Sequence, residues 1–328
     1  MTDKNLNWAV LGVGVIANEM AQALHKHGKT LYAIANRTHD KAIAFAEKYS
    51  VAKVYDSIDE IFTDSNVDAI YITTPHNTHY QFMKRALENG KHLLVEKSIT
   101  LNSRELNEMI ALAADKNLIL AEAMTIWHMP LYKALWQRIS AGDFGKVQII
   151  TLNFGSFKEY NMNNRFFNLN LAGGALLDIG VYALSAMRSF MTETPNEILS
   201  QWKPSPTGSD EMATILLKNS VGQMAVAALS MHSKQPKRAV ISCERGYVEI
   251  MEYPRADKAI FVDAETGTVE EIFAGNKSDA LFYELSDMEQ AIKSGDASAM
   301  KLDLSKDVMD IMTALRKTWN LKYPNEIW

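Results

Sequence analysis

The chain has 328 residues, a formal net charge of -5 and a hydrophobic fraction of 47%, which is typical of a globular protein with room for two domains. The acidic balance argues against a nucleic-acid partner. The sequence predicts neither a membrane-spanning run of roughly 18 apolar residues nor a signal peptide at residues 1–5. A single cysteine, Cys243, allows no internal disulfide, so we expect a cytoplasmic protein.

The chain begins with a strand, a glycine-rich turn and a helix. The strand is the apolar run at residues 7–11, and the turn reads Gly12-Val13-Gly14-Val15-Ile16-Ala17. Gly12 would permit the tight turn, Gly14 would let a pyrophosphate approach the backbone, and Ala17 would let helix and strand pack closely. A second β-like run at residues 30–35 completes a βαβ unit. The pattern predicts a dinucleotide-binding turn rather than an ordinary glycine-rich turn.

Two domains follow from the order of the elements. As far as residue 122, β-like runs (30–35, 69–72, 93–95, 118–121) alternate with helical patterns (41–49, 57–62, 80–89, 103–116), which predicts a doubly wound parallel sheet. Strand patterns then follow one another at 147–154, 198–202, 212–217, 223–229, 239–242, 247–250 and 259–262, with helices at 130–141, 174–190, 281–293 and 304–320. We predict an α/β fold: a Rossmann domain (1–122) and an α+β domain (123–328) with a large open, mainly antiparallel sheet.

One strand of this second sheet has apolar residues on both faces. They are Val226, Ala227, Ala228, Leu229 and Met231. An open sheet with two apolar faces needs a cover on each. We therefore predict a homodimer formed through this sheet.

The end of the second strand selects the cofactor. An NAD-binding turn places Asp or Glu about 20 residues after the glycines, where it binds the ribose hydroxyls. This chain has no acid there and instead reads Asn36-Arg37-Thr38. Arg37 can pair with a 2′-phosphate and Thr38 can donate a hydrogen bond, so NADP is favoured over NAD. The alternative is a surface arginine followed by a helix cap.

Polar residues follow the next two strands, at the sheet edge where open α/β folds bind ligands. Thr74 and Pro75 could flank a nicotinamide, and Asn77 and His79 could contact the cofactor or simply start a helix.

Glu96 and Lys97 follow the next buried strand. The pKa of Lys97 could fall beside a cationic nicotinamide, which suits proton transfer, and Glu96 could orient that lysine or hold the cofactor ribose. The alternative is a surface ion pair. The predicted cofactor contacts are Gly12, Gly14, Val15, Ile16, Arg37, Thr38, Thr74, Pro75, Asn77, His79, Glu96 and Lys97; no metal site is predicted.

A glycine-rich segment precedes the helix predicted from Gly174. Asp178 and Tyr182 would lie one turn apart on one face of it and could meet one substrate. A nearby cation can lower a phenol pKa from about 10. The alternatives are that Asp178 only charges the helix start and that Tyr182 only fills the core. Arg165, upstream, is a candidate substrate contact.

Together these motifs resemble the glucose-fructose oxidoreductase, inositol dehydrogenase and rhizopine-catabolism (Gfo/Idh/MocA) family of NAD(P)-dependent oxidoreductases, over essentially the whole chain. The motifs are the first glycine turn, Pro75-His76-Asn77-Thr78-His79, Glu96-Lys97 and Gly173-Gly174-x-Leu176-x-Asp178-x-Gly180-x-Tyr182. Tyr182 and Arg37 make the sequence most similar to the branch of dimeric dihydrodiol dehydrogenase and NADP-dependent D-xylose dehydrogenase.

The resemblance implies roles for individual residues. Lys97 would assist proton transfer, Tyr182 would be the acid/base or its helper, and Asp178 would hold substrate hydroxyls. Two departures stand out. Ser98 replaces the proline usual after the lysine, and Trp127 occupies a position where relatives often carry a cation, so Trp127 becomes a candidate substrate contact.

The expected reaction is hydride transfer between nicotinamide C4 and a secondary alcohol, hemiacetal or vicinal diol of a sugar-like substrate. The same fold also hosts NAD-dependent glycosidases, which oxidise their substrate transiently, and a dinucleotide-binding regulator without catalysis. These two remain as alternatives.

Overall fold

The computed structural model describes residues 5–328, which separate into two compact units. The first comprises the described residues up to Thr100 with Arg104–Ala123 and Leu281–Leu302; the second comprises Leu101–Ser103, Met124–Ala280 and Asp303–Trp328. Residues 1–4, which fall in the stretch where no signal peptide is predicted, lie outside the described part of the chain.

A six-stranded parallel sheet forms the first unit. Its strands are β1 (Trp8–Leu11), β2 (Ala33–Ala35), β3 (Lys53–Val54), β4 (Ala69–Ile72), β5 (His92–Glu96) and β6 (Leu120–Ala123), in the order β3-β2-β1-β4-β5-β6. The connecting helices are α1 (Val15–Lys26), α2 (His39–Tyr49), α3 (Ile58–Thr63), α4 (His79–Glu88) and α5 (Ser103–Asp115). The strand order reverses between β1 and β4, where doubly wound sheets bind ligands. The predicted Rossmann sheet is confirmed, and only the two-residue β3 was not expected.

An eight-stranded sheet forms the second unit. Its strands are β7 (Val147–Gly155), β8 (Glu197–Pro204), β9 (Asp210–Lys218), β10 (Met224–Ser230), β11 (Gln235–Cys243), β12 (Gly246–Met251), β13 (Lys258–Asp263) and β14 (Val269–Phe273), in the order β14-β13-β12-β11-β7-β10-β9-β8. Only β7 and β10 pair in parallel, so the predicted mainly antiparallel sheet is confirmed. β14 was missed because only Ile272 of its five residues is buried, which leaves no alternating pattern.

Three helices of the second unit lie before or between the first strands of this sheet in the sequence. They are α6 (Thr125–His128), α7 (Pro130–Ala141) and α8 (Val181–Phe190), the last preceded by a π-helical turn, Leu176–Gly180, that runs directly into it. α8 packs against β7 and β10. Gly180 permits this close approach, because a Cβ there would lie 2.9 Å from Cδ1 of Leu229. The predicted helix at 174–190 is therefore present, with its first turn beginning at Leu176.

Two helices end the chain, α9 (Ala280–Ser294) and α10 (Leu302–Thr318). The predicted C-terminal domain includes both, but the structure places nearly all of α9 in the first unit. The reason is an apolar stripe. Leu281, Leu285 and Met288 are buried in the same core cluster as Trp8 and Met20, so α9 contributes to the Rossmann core although it lies late in the sequence.

One helical stretch, Leu169–Phe190, is long and apolar enough to cross a membrane by length and composition alone. This corrects the expectation that no run reaches that length. However, 72% of its most apolar window is buried in the structure, and helices in the core of folded domains pass the same test. The stretch also contains Asp178 and Arg188. Its apolarity is explained by its packing on the sheet.

Candidate active site

The first glycine of the turn after β1 is required by the fold itself. Gly12 has φ +108°, and a Cβ there would lie 2.7 Å from Oγ1 of Thr73. Its N–H donates to the carbonyl of Ala35 at 2.9 Å. Gly12 therefore lets the end of β1 lie close to the ends of both neighbouring strands.

The second glycine is not required by the protein's own packing. Gly14 has φ -66°, and the nearest atom to a Cβ there would be the carbonyl oxygen of Thr73 at 4.0 Å. It is the N-cap of α1, whose start has no side-chain cap among the described residues and no acid in its first turn. Val15 is 78% exposed. Open space in front of an uncapped helix start fits the pyrophosphate of a dinucleotide.

Arg37 and Thr38 are both exposed two and three residues after β2 ends. No ion pair or hydrogen bond joins the Arg37 side chain to any described residue. Thr38 occupies the N-cap position of α2, yet its hydroxyl makes no capping hydrogen bond within the described chain. The alternative reading of Thr38 as a helix cap is therefore not supported. Both side chains have the chemistry and exposure to hold a 2′-phosphate.

Two histidines tie together the loops that follow β4 and β5. His79 is 0% exposed; its Nε2 lies 2.8 Å from the carbonyl oxygen of Thr74, and its Nδ1 lies 3.1 Å from that of Ser98. Burial lowers the pKa of His79. Its predicted cofactor contact is corrected, because a fully buried ring has no surface to offer a ligand. His76 places Nε2 3.0 Å from the carbonyl oxygen of Lys97.

The other predicted residues of these loops keep accessible surface. Pro75 and Asn77 are exposed, whereas Thr74, Glu96 and Lys97 are half-buried. The hydroxyl of Tyr71, inside β4, donates to the Glu96 carboxylate. The peptide bond between Lys97 and Ser98 is cis. Glu96 is the last residue of β5, and the other four follow the carboxyl ends of β4 and β5, where a Rossmann sheet binds its ligand.

In the second unit, Asp178 and Tyr182 stand out by their exposure. Every other residue from 172 to 187 is buried, whereas these two are partly exposed. They are four residues apart across the junction of the π-helical turn and α8, so they share one face. The alternative that Tyr182 only fills the core therefore does not account for its partial exposure. This stretch presents one carboxylate and one phenol.

Arg165 is brought to the same place. Its Nη1 lies 3.7 Å from Oδ1 of Asp178, with the arginine side chain 63% exposed and the aspartate side chain 13% exposed. The guanidinium carbon also lies 4.4 Å from the ring centroid of Phe166. The structure thus unites three predicted substrate contacts, Arg165, Asp178 and Tyr182, on one side of the second unit.

Asp210, which sequence reasoning missed, holds the start of this helical stretch. Its Oδ2 accepts a hydrogen bond from the N–H of Leu176 at 2.5 Å. Gly174 has φ +139°, and a Cβ there would lie 2.0 Å from Oδ1 of Asp210. The glycine motif is thus explained by a carboxylate 36 residues later. Nothing in the local pattern of β9 distinguishes Asp210 from a surface residue at a strand start.

Trp127 is the second correction. The structure places it in α6 with 0% exposure, where neighbouring Thr125 donates from Oγ1 to the carbonyl of Pro254 at 2.6 Å. A fully buried indole has no surface with which to contact a substrate. Trp127 fills the core where the resemblance suggested a binding position.

Two models of known protein families match this chain. Residues 6–124 match the model described as "Oxidoreductase family, NAD-binding Rossmann fold", and residues 132–249 match the Gfo/Idh/MocA C-terminal domain. The chain belongs to the Gfo/Idh/MocA family. It is an NAD(P)-binding oxidoreductase, and the boundary between the two matched regions lies beside the boundary of the two units at Ala123.

Relatives of this Gfo/Idh/MocA protein span the same length. The trans-1,2-dihydrobenzene-1,2-diol dehydrogenase of Xenopus tropicalis is 28% identical over 97% of this chain and 99% of its own, and that of Mus musculus is 26% identical over 98% and 99%. Among solved structures, a 3-ketoreductase from Actinomadura kijaniata in complex with NADP and TDP-benzene has a TM-score of 0.85 at 21% identity, covering 96% and 98% of the two chains. Aldose-aldose oxidoreductase from Caulobacter crescentus has a TM-score of 0.86 at 22% identity, covering 97% and 98%. The structures share the fold.

Proposed function

We propose that this oxidoreductase prefers NADP and transfers hydride between nicotinamide C4 and a secondary alcohol, hemiacetal or vicinal diol of a sugar-like substrate. The observation that carries the proposal is the pairing of Asp178 and Tyr182 as the two accessible side chains of an otherwise buried helical stretch. A carboxylate can accept hydrogen bonds from neighbouring hydroxyls, and a phenol beside it can exchange a proton with one of them. Such a pair suits a polyol or diol.

The cofactor preference rests on Arg37 and Thr38. A 2′-phosphate needs a cation and a hydrogen-bond donor, and both side chains are exposed and uncommitted to any described neighbour. Gly14 and the uncapped start of α1 would hold the pyrophosphate. When bound, the nicotinamide supplies or accepts the hydride.

Proton exchange is assigned to Lys97 and Tyr182. Lys97 directly follows β5, and its backbone carbonyl faces His76, so its main chain is tied to the neighbouring loop. Tyr182 would give or take the proton of the reacting hydroxyl. Asp178 would hold the hydroxyls, with Arg165 as its counter-ion.

The substrate class draws on the relatives as well. Those compared are named dehydrogenases of a trans-diol, a 3-ketoreductase and an aldose-aldose oxidoreductase. Each name describes chemistry between a hydroxyl-bearing carbon and its ketone or aldehyde form. We place this chain in the same reaction class and in the cytoplasm.

A homodimer through the eight-stranded sheet is part of the proposal. The face opposite α8 carries exposed apolar side chains, with Leu199 64%, Met212 38%, Leu216 37% and Met224 40% exposed. They lie on three adjacent strands, β8, β9 and β10. Leu199 pairs with Leu216 and Leu216 with Val226 in the strand register, and such an apolar row across three strands suits a second copy of the same surface. Light scattering at micromolar concentration should give twice the chain mass, and Leu216→Glu should halve it; a monomeric parent protein would refute the dimer.

The function is tested by a substrate panel. Aldoses, polyols and trans-diols are incubated with NADP⁺ or NAD⁺, and cofactor reduction is followed by absorbance. We expect turnover with at least one vicinal diol or sugar and a higher kcat/KM with NADP⁺. Retained NAD with no net redox turnover would instead indicate a glycosidase. Tight NADPH binding without turnover of any substrate would indicate a regulator.

A further inference from the structure

A buried carboxylate lies beneath the helical stretch that carries Asp178 and Tyr182. Asp210 is 0% exposed, and its Oδ2 accepts the N–H of Leu176, the first residue of the π-helical turn, at 2.5 Å. Gly174 has no Cβ to push this carboxylate away. Asp210 is thus hydrogen-bonded to the backbone of the helical stretch only two residues before Asp178. The residues of that stretch around Asp178 and Tyr182 are buried.

Three further buried ionisable groups lie on α10 or in the segment after it, and two of them, Arg316 and Tyr323, interact electrostatically with Asp210. Arg316 is 0% exposed and donates from Nη1 and Nη2 to the two carboxylate oxygens of Glu326, at 2.8 and 2.7 Å. Tyr323 donates from its hydroxyl to the carbonyl of Gly173 at 3.2 Å. These groups and Asp210 therefore include one guanidinium and two carboxylates. Arg316 donates its carboxylate hydrogen bonds to Glu326 and not to Asp210.

The negative charge of Asp210 is consequently held mainly by backbone N–H groups. Its Oδ1 has no hydrogen-bond donor among the described residues. Burial raises the pKa of Asp210 to about 7, against the opposing effects of the Leu176 N–H and the charge of Arg316. A group of this kind changes charge close to neutral pH.

We propose that Asp210 is a positioning residue for catalysis: its ionised carboxylate anchors the Leu176–Gly180 turn and so sets the position of Asp178 and Tyr182. The proposal rests on the proposed function. An ionised carboxylate is a strong acceptor for a backbone N–H, whereas the protonated acid accepts weakly and carries an O–H that needs a partner of its own. Protonation therefore loosens the first turn without touching a substrate.

The first experiment compares Asp210→Asn with Asp307→Asn. Asp307 lies on α10 and accepts from Arg188 near the other end of α8, at 2.7 Å, so the control makes the same chemical change at a carboxylate that contacts the far end of that helix. In the parent protein, kcat/KM should rise between about pH 6 and about pH 8. Asp210→Asn should lose this limb, with substrate KM raised roughly tenfold and the Kd of NADPH unchanged. Asp307→Asn should keep the limb. An unaltered profile in Asp210→Asn would overturn the proposal.

The second experiment measures the helix start directly. Amide hydrogen exchange of the peptide covering residues 174–180, corrected for the intrinsic pH dependence of exchange, should slow as Asp210 ionises in the parent protein. It should be several-fold faster in Asp210→Asn at high pH, with exchange of α9 unchanged. If Asp210→Asn fails to fold, Tyr323→Phe, which removes the hydrogen bond to Gly173, should raise substrate KM and speed the same exchange.

Hydrogen exchange and turnover together distinguish failure of the Asp210 proposal from failure of the proposed function. If exchange over residues 174–180 depends on pH but the protein turns over no sugar or diol, the role of Asp210 as an anchor is supported and the proposed function is refuted. Turnover with pH-independent exchange over residues 174–180 would retain the function and refute the anchor.

Discussion

Nη1 of Arg165 lies 3.7 Å from Oδ1 of Asp178, although the arginine is 63% and the aspartate only 13% exposed. The pair therefore joins a solvent-facing cation to a sheltered carboxylate in the second unit. An ion pair of this exposure contributes little to folding, typically about 0–1 kcal/mol. In the proposed function, the pair would instead orient the carboxylate for substrate hydroxyls.

Replacing Arg165 by Ala should thus affect binding and spare stability. We expect substrate KM to rise about three- to tenfold, with the melting temperature within about 2 °C of the parent. Lys306→Ala is the control, since Lys306 also forms an exposed ion pair, with Asp310 at 2.8 Å. Unchanged steady-state constants for Arg165→Ala would remove Arg165 from the site.

The two glycines of the first turn should respond differently to alanine. Gly12→Ala imposes φ +108° on a side chain and a 2.7 Å contact with Thr73, so it should destabilise the protein by about 2 kcal/mol or more. Gly14→Ala meets no atom closer than 4.0 Å and should unfold like the parent. It should nevertheless weaken NADPH binding at least tenfold, because the Cβ occupies the approach of the pyrophosphate. Calorimetry and fluorescence titration distinguish the two effects, and normal NADPH affinity in Gly14→Ala would contradict the assignment.

Arg37→Ala should change cofactor preference. Loss of a charge-assisted pair with the 2′-phosphate should raise the KM for NADP⁺ roughly 10- to 100-fold and leave that for NAD⁺ within about twofold. Arg104→Ala is the matched control, because Arg104 is also exposed on the first unit and contacts Glu108 at 4.0 Å. Equal losses with both cofactors would show that Arg37 does not read the phosphate.

Lys97→Met should separate chemistry from cofactor binding. Methionine keeps an unbranched side chain of similar length but lacks the amine that transfers the proton, so kcat should fall by at least about 100-fold while the Kd of NADPH changes little. Lys116→Met, at an exposed lysine near Asp115, should retain full activity. Turnover by Lys97→Met at the parent rate would defeat the assignment of Lys97 to proton transfer.

Much of the fold could be predicted because its signals are local. The turn at Gly12, the apolar run of β1 and the helical repeat of α1 lie within 30 residues, so one βαβ unit is legible from periodicity alone. Likewise, Asp178 and Tyr182 could be placed on one face because the helical period fixes that relation. β14 escaped prediction since four of its five residues are exposed and no alternation marks it.

The corrected residues share a different cause. His79 and Trp127 have side chains that suit ligand contact as well as core packing, and only their burial separates the two roles. α9 carries an ordinary amphipathic pattern, which cannot say which of two cores will take its apolar face. Residue type and spacing do not show whether such a side chain is buried or which core a helix joins.

The sequence by itself determined the Rossmann turn, the missing acid after β2 and the shared face of Asp178 and Tyr182, because each depends on neighbours within a few turns of chain. Tertiary structure alone decided that Asp210 lies against Gly174, that His76 faces the Lys97 carbonyl and that Arg165 meets Asp178. These contacts join residues 13 to 36 positions apart, and burial and hydrogen bonding between distant segments arise only when the whole chain has packed.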